Sequence, residues 1–348
     1  MTAVKGLRGV AVAACALTLS CDDSRAEREW TAAQESVTLR GVGATVPKAL
    51  FAKWQEQYSM VEPTTRLTYD AQGSGAGVKA AEERSADFGV SDTPLSDVDA
   101  TRVGSIRHLP LAVEAIAMVY ALQGVTGRLQ VTEDVLSDML TGSIRWWDDA
   151  ALVTVNPGVK LPHVQIQVVY REDESGSSYL LSEWLKKTSK HWPLGASRSL
   201  KVPGFGAQKD DGMIARMRGN DGSLGYVSAV TAFEQHLSTF AVRNPAGRFV
   251  SPSLDGMRAA AASAQLGADL RAHATAAPGD LAYPICSFTF VLLPGDEPDG
   301  PRRRALGRFL WWAAHDGQRF APPLGFGALP GELAVRDEEV LRALAPSP

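Results

Sequence analysis

The chain is poor in cysteine, with three in 348 residues, and two of those, Cys15 and Cys21, lie close to its start. Only Cys286 is left for the body, so no disulfide is expected there. It stands in the apolar, strand-like run from Tyr283 to Leu293 and reads as a buried small hydrophobe. No Cys/His grouping has the spacing of a metal site, and neither a metal nor any other cofactor is expected. No apolar run reaches the length of a membrane span. Nor is there a cationic surplus: 35 Lys and Arg against 39 Asp and Glu leave a formal net charge of −4. That argues against a nucleic-acid partner.

The N-terminus carries the pattern of an export signal. Lys5 and Arg8 precede an apolar segment, Val10 to Leu19, that ends in Ser20-Cys21-Asp22-Asp23. A Cys placed there resembles the lipobox of bacterial lipoproteins, whose processed N-terminus is a lipid-modified Cys; a plain secretory signal is the alternative. The expectation is a signal peptide over residues 1–20, a lipidated Cys21 anchoring the chain to a membrane, and a polar tether over 21–35. Losing Lys5 and Arg8 moves the net charge to −6. A protein this acidic would bind an anion through local dipoles and a few placed donors, not through its overall field.

With 45% hydrophobic and 21% charged residues, the body is long enough for two cored domains. One device occurs three times: a strand, a turn rich in Gly, Ser or Thr, and a helix. The first runs from Ser36–Arg40 through Gly41 to Val46 into a helix over Pro47–Tyr58 with Leu50, Phe51 and Trp54 at core spacing. The second joins Arg66–Tyr69 through Gln72–Gly77 to a helix over Val78–Arg84. The third joins Val164–Val169 through Arg171 and Ser175-Gly176-Ser177-Ser178 to a helix bearing Leu180, Leu181, Trp184 and Leu185. Each helix entry exposes amide N–H groups at the positive end of a dipole, a setting that favours an anion. Tight turns also use Gly for steric reasons alone, and Ser is an ordinary cap. Between the second and third devices, Ser91-Asp92-Thr93-Pro94 reads either as a helix cap or as a polar binding cluster. His108–Tyr120 predicts a long extended run crossing between domains, Gly256–Ala272 an Ala-rich helix, and Pro301–Phe320 and Pro330–Leu344 two closing helices.

Five stretches resemble the phosphate-binding proteins that feed phosphate ABC transporters: GVGATVPKALFAKW from Gly41, GSGAGVKAAEERSADFGVSDTPLSD from Gly73, LTGSIRWWDDAALVTVNPGVKLP from Leu140, VVYREDESGSS from Val168, and GSLGYV from Gly222. The resemblance implies an α/β, two-lobe type II periplasmic binding-protein fold with a two-stranded hinge. Residues 36–111 and 283–348 would form lobe 1 and residues 112–282 lobe 2. It also implies that Thr45, the amide of Val46, Ser74, Arg171, Ser175, Gly176 and Ser177 hold inorganic phosphate, while Asp92 accepts the ligand's hydrogen bond. Phosphate at neutral pH keeps a proton to donate and sulfate does not, so a buried carboxylate at Asp92 would reject sulfate. Four positions depart from the family pattern: Val46 stands for Phe, Ser177 for Thr, Glu174 for Gly, and Tyr170 for a second basic residue.

The expected function is therefore an exported, monomeric phosphate receptor of the periplasm or cell surface that delivers its ligand to a membrane-embedded ABC permease, without catalysis. A sensor or scaffold lipoprotein on the same fold is the nearest alternative. A hydrolase using Ser74, Ser175 or Ser177 as nucleophile is disfavoured, because none of the six histidines lies near these serines in the sequence.

Overall fold

A computed structural model describes residues 36–344 apart from 105, 126, 268 and 296–299. The predicted signal peptide, Cys21 and the tether lie outside the described residues. The polypeptide from Val37 onward forms one unit, and among its described residues no helix is long and apolar enough to cross a membrane.

The chain begins as the first two devices predict, and a third strand and helix follow them. Strand β1 (Val37–Gly43) leads to helix α1 (Lys48–Val61), β2 (Thr65–Ala71) to α2 (Ser74–Glu83), and β3 (Phe88–Ser91) through a polar loop to α3 (Asp97–Val103). β2, β1 and β3 pair in parallel, so the turns after them open on one edge of the sheet. Then comes β4 (Ile106–Ala121), sixteen residues of which thirteen in succession, His108 to Tyr120, are buried. Beyond it lie α4 (Glu133–Thr141), α5 (Ala150–Val155), β5 (Gln167–Arg171), α6 (Gly176–Thr188), β6 (Phe205–Ala207), α7 (Lys209–Met217), β7 (Ser223–Ser228), α8 (Ala229–Glu234) and α9 (Leu254–Ala262). The chain closes with β8 (Cys286–Pro294), α10 (Pro301–Ala314) and α11 (Gly331–Leu344).

These strands join in one mixed sheet, ordered β2-β1-β3-β8-β4-β7-β5-β6. β4 belongs to both halves of it. Its residues Ile106–Ala115 pair antiparallel with β8, and Ile116–Ala121 pair antiparallel with β7. Beside the handover the chain returns through Tyr283–Cys286: Ile116 N donates to Ile285 O at 3.0 Å and Tyr283 Oη to Ile116 O at 2.8 Å.

Two cores follow from this division. One packs Leu39, Phe51, Trp54, Phe88 and Leu109 against Phe309 and Leu310 of α10, with Phe51 stacked on Phe88 at 5.9 Å and edge-on to Trp54 at 5.3 Å. The other gathers Met118, Leu136, Trp147, Leu181, Trp184, Tyr226 and Phe240. Cys286 is buried and unpaired in β8, as its apolar run predicts.

Three helix bounds differ from expectation. α2 starts at Ser74, so Ser74 to Gly77 are its first turn and not loop; Gly73, at φ +122°, supplies the cap conformation that a side chain would resist. A Cβ on Gly77 would stand 2.0 Å from Val90 O, so this Gly serves close packing on β3. α9 ends at Ala262, ten residues early, and the chain continues into a short hairpin that pairs Gln265 with His273, with Asp269 accepting from the Arg271 amide inside it. α10 gives way after Ala314 to a 3₁₀ turn over Asp316–Phe320.

Candidate anion-binding site

The first two turns are joined at the carboxyl ends of β1–β3. Ala44 N donates to Val90 O at 3.0 Å, and Gly73 N to Gly43 O at 2.8 Å. This sets the Thr45 and Ser74 turns beside the exit of β3, where Asp92 follows at once. Asp92 is 2% exposed. Its amide donates to Ser74 Oγ at 3.2 Å, and Ser74 Oγ donates to Asp92 Oδ2 at 3.1 Å. The capping alternative for Asp92 and Thr93 fails: α3 is capped by Ser96, whose Oγ accepts from Asp99 N at 3.1 Å.

The third turn meets them from the other half of the sheet. Gly176, the first residue of α6, lies so near that a Cβ there would be 2.4 Å from both Asp92 Oδ2 and Ser74 Oγ. Ser175 caps α6, its Oγ accepting from the amides of Ser177 at 3.1 Å and Ser178 at 3.4 Å. Ser177 Oγ is buried with no hydrogen-bond partner, a polar atom still to be satisfied.

Arg171 is 1% exposed and locked from two sides. Its Nε and Nη2 bind both oxygens of Asp173, at 2.8 and 2.5 Å, and Nη1 donates to Asp210 Oδ1 at 3.0 Å. Asp210 Oδ2 takes the amide of Ser228 at 2.9 Å. Burial alone would lower the Arg171 pKa, but the hydrogen bonds it donates to Asp173 and the charges of Asp210 and Asp173 raise it instead. Thr45 and Val46 reach the same region through a cavity of about 200 Å³ that they line with Lys209, Asp210, Asp211 and Thr231. Ser74, Asp92 and Gly176 thus meet directly, with Ser175 and Ser177 beside them, while Thr45 and Val46 are linked to Arg171 through the Asp210 that lines their cavity.

Of the departures, Val46 is buried in the first core, Ser177 is the unsatisfied hydroxyl, and Tyr170 is half-buried in β5. Glu174 is exposed and leans over α2: a Cβ on Gly75 would be 2.5 Å from Glu174 Oε2. It lines an outward cavity of about 470 Å³ with Lys79, Glu82, Asp99 and Arg198, apart from Asp92 and Arg171.

Asp173, Asp210, Arg198 and Glu114 were missed in the sequence reading. Asp173 carried a usable signal, standing two residues after Arg171, and Glu114 another, as the lone acid within the apolar run of β4. Asp210 and Arg198 carried none, since they arrive from remote segments, the first turn of α7 and the loop after α6. Arg198 spans the halves, its Nη2 donating to Thr93 Oγ1 at 3.0 Å while its guanidinium lies 5.0 Å from the Tyr179 ring. Among the described residues no group of His, Cys, Asp or Glu could hold a metal. His108, the histidine nearest Asp92 in the chain, accepts from the Leu95 amide and is buried.

Comparison with known proteins gives the family and the fold. A PBP superfamily domain model matches residues 29–316. A phosphate-binding protein PstS from Xylella fastidiosa is 32% identical over 310 residues, covering 87% of this chain and 85% of its own. Among solved structures, a phosphate-binding protein from Stenotrophomonas maltophilia superposes with a TM-score of 0.67 at 17% identity, over 88% of this chain and 94% of that one. An ABC-type phosphate transport receptor from Vibrio cholerae gives 0.58 at 17% identity, over 84% and 100%. The structural likeness carries the two-lobe fold and the sequence likeness carries the kinship: the chain belongs to the PstS family of phosphate-binding proteins, within the PBP superfamily.

Proposed function

We propose that this protein is an extracytoplasmic receptor that closes on inorganic phosphate and presents it to an ABC-type permease in the membrane. The observation that carries the reading is the contact of Gly176 with Asp92 and Ser74, which brings a helix N-terminus from each half to one buried acceptor. In that frame Thr45, the Val46 amide, Ser74 and Ser177 donate to the ligand oxygens, with the Ser175 hydroxyl and the Gly176 amide. Arg171 supplies the positive charge, and Asp92 accepts the remaining phosphate hydrogen. Asp173 and Asp210 offset the Arg171 charge, so the ligand is held by oriented dipoles in a nearly neutral setting. The lobes are residues 36–111 with 283–348, and 112–282, turning about β4 and the Tyr283–Cys286 return. The likeness to a phosphate transport receptor supports the permease as partner.

Calorimetric titration with phosphate and with sulfate tests the reading. Phosphate binds and sulfate does not; equal affinities for the two would reject it. Asp92→Asn erodes the discrimination, and Arg171→Ala weakens phosphate binding itself. We further propose a lipidated Cys21 and a monomeric receptor. Cys21→Ser then releases the protein from membranes, and sedimentation gives the mass of one chain.

A further inference from the structure

Glu114 sits in β4 where that strand changes neighbours: it pairs with Ser287, Ala115 pairs with Cys286, and Ile116 already pairs with Ser228 of β7. Its carboxyl is 1% exposed. Oε2 accepts from Thr289 Oγ1 at 2.9 Å, whereas Oε1 is buried with no donor from the surrounding groups. Asp92 is in the same condition, with Oδ2 taken by Ser74 and Oδ1 buried without a donor. Ser91 pairs with Phe290 of β8, so Asp92 leaves the sheet beside Thr289, the residue that donates to Glu114, and the two carboxyls lie close enough to act on one another. An ionised carboxylate only accepts, so a hydrogen bond between two of them requires a proton on one.

The surroundings decide which one. Asp92 faces the Ser74 hydroxyl of α2, the Arg171 charge from β5 and Asp210 of α7. Glu114 faces Thr289 of β8 and the charges of Asp92 and Asp210, without a cation. The neighbouring thiol of Cys286 and phenol of Tyr69 are held neutral by burial and offer no cation either. Glu114 therefore keeps the proton.

We propose that Glu114 is the positioning residue for the specificity acceptor: its protonated carboxyl donates from Oε1 to Asp92 Oδ1 and leaves Oδ2, on the Ser74 and Gly176 side, as the anionic oxygen that reads the ligand's hydroxyl. The inference rests on the assignment of Asp92 above. It gives the pair one negative charge at neutral pH. Burial, opposed by the Ser74 hydrogen bond and the Arg171 charge, raises Asp92 above the ordinary carboxylate range. As the pH falls a second proton enters the pair and Asp92 can donate, so sulfate is no longer shut out.

The test is titration of the full chain with phosphate and sulfate between pH 5 and 8.5, for the wild type, Glu114→Gln, Glu114→Leu and Asp92→Asn. Glu114→Gln, a permanent neutral donor, binds phosphate within about threefold of wild type at pH 7.5, whereas Glu114→Leu loses about tenfold or more and loses sulfate exclusion at a higher pH than wild type. If Glu114 were ionised, Glu114→Gln would remove a buried negative charge beside an anion, and tightening of about tenfold or more would overturn the proposal. A Glu114→Leu variant with wild-type affinity and pH profile would overturn it too. Should that variant fail to fold, the infrared difference spectrum of wild type minus Glu114→Gln at pH 7.5 decides, because the band of protonated Asp337 cancels there: a remaining carboxylic acid band supports the assignment, and its absence overturns it. Asp92→Asn separates the two levels. Unchanged discrimination there rejects Asp92 as the acceptor, whereas lost discrimination beside an inert Glu114→Leu rejects the role of Glu114 alone.

Discussion

Gly176 has no room for a side chain against Asp92, since a Cβ would enter within 2.4 Å of its Oδ2 and 2.7 Å of its Cβ. The two residues come from opposite halves of the sheet, so their contact measures how completely those halves close. Gly176→Ala should keep the fold, because Ala suits a first helical turn, yet hold the halves apart. Phosphate affinity is expected to fall by about a hundredfold or more, as a steric misplacement of about 1 Å costs at a preorganised site. Equilibrium titration with labelled phosphate reads it, and circular dichroism checks the fold.

Arg171 and Asp173 should behave unequally. Arg171→Ala strands two carboxylates, Asp173 and Asp210, both mostly buried, and is expected to cost about 3 kcal/mol of folding stability as well as most of the phosphate affinity. Asp173→Asn keeps an acceptor for Nε and leaves the Asp210 pair in place. Its affinity loss should be nearer tenfold, about 1.4 kcal/mol, with a smaller change in denaturant midpoint.

Glu174 is the acid that a phosphate site should not tolerate, but it leans outward over Gly75. Exposed charges are screened by water and salt, so Glu174→Gln should change phosphate affinity by less than about threefold at 0.15 M salt. A larger gain in calorimetry would place its carboxylate inside the closed site.

Asp337 in α11 is fully buried with both oxygens unpartnered, and burial pushes its pKa up to about 8. The folded state therefore binds a proton that the unfolded chain gives up near pH 4, and stability from this group falls as pH rises from about 4 to about 8. Asp337→Asn should melt higher than wild type by about 2–4 °C at pH 8, with the gain vanishing toward pH 4. His108 has the opposite sense. Burial lowers it to about 4, so its contribution is complete above pH 6.5 and is lost as pH falls toward 4.

The sequence carried the three turns, Asp92 and the long β4 because each is local: a hydrophobic period, a Gly or Ser at a helix entry, an apolar run. It misplaced the start of α2, since Gly and Ser at 74–77 look like loop until the packing of Gly77 on Val90 is seen. The alanine excess predicts a helix to residue 272, whereas the chain from Gln265 to His273 pairs as a hairpin, a tertiary choice that composition does not carry. The partners of Arg171 divide the same way. Asp173 lies two residues off, whereas Asp210 arrives by the β5–β6 pairing and the turn into α7, which no local pattern announces. The direction of Glu174, which decides whether a carboxylate enters an anion site, is likewise a property of packing against α2.

β4 remains one unbroken backbone while its neighbours change from β8 to β7. The two halves are thus not beads on a string: each uses part of the same strand as an interior member of its sheet. Neither half can lose its structure without removing a paired strand from the other, so heat or denaturant should melt the molecule in a single cooperative step.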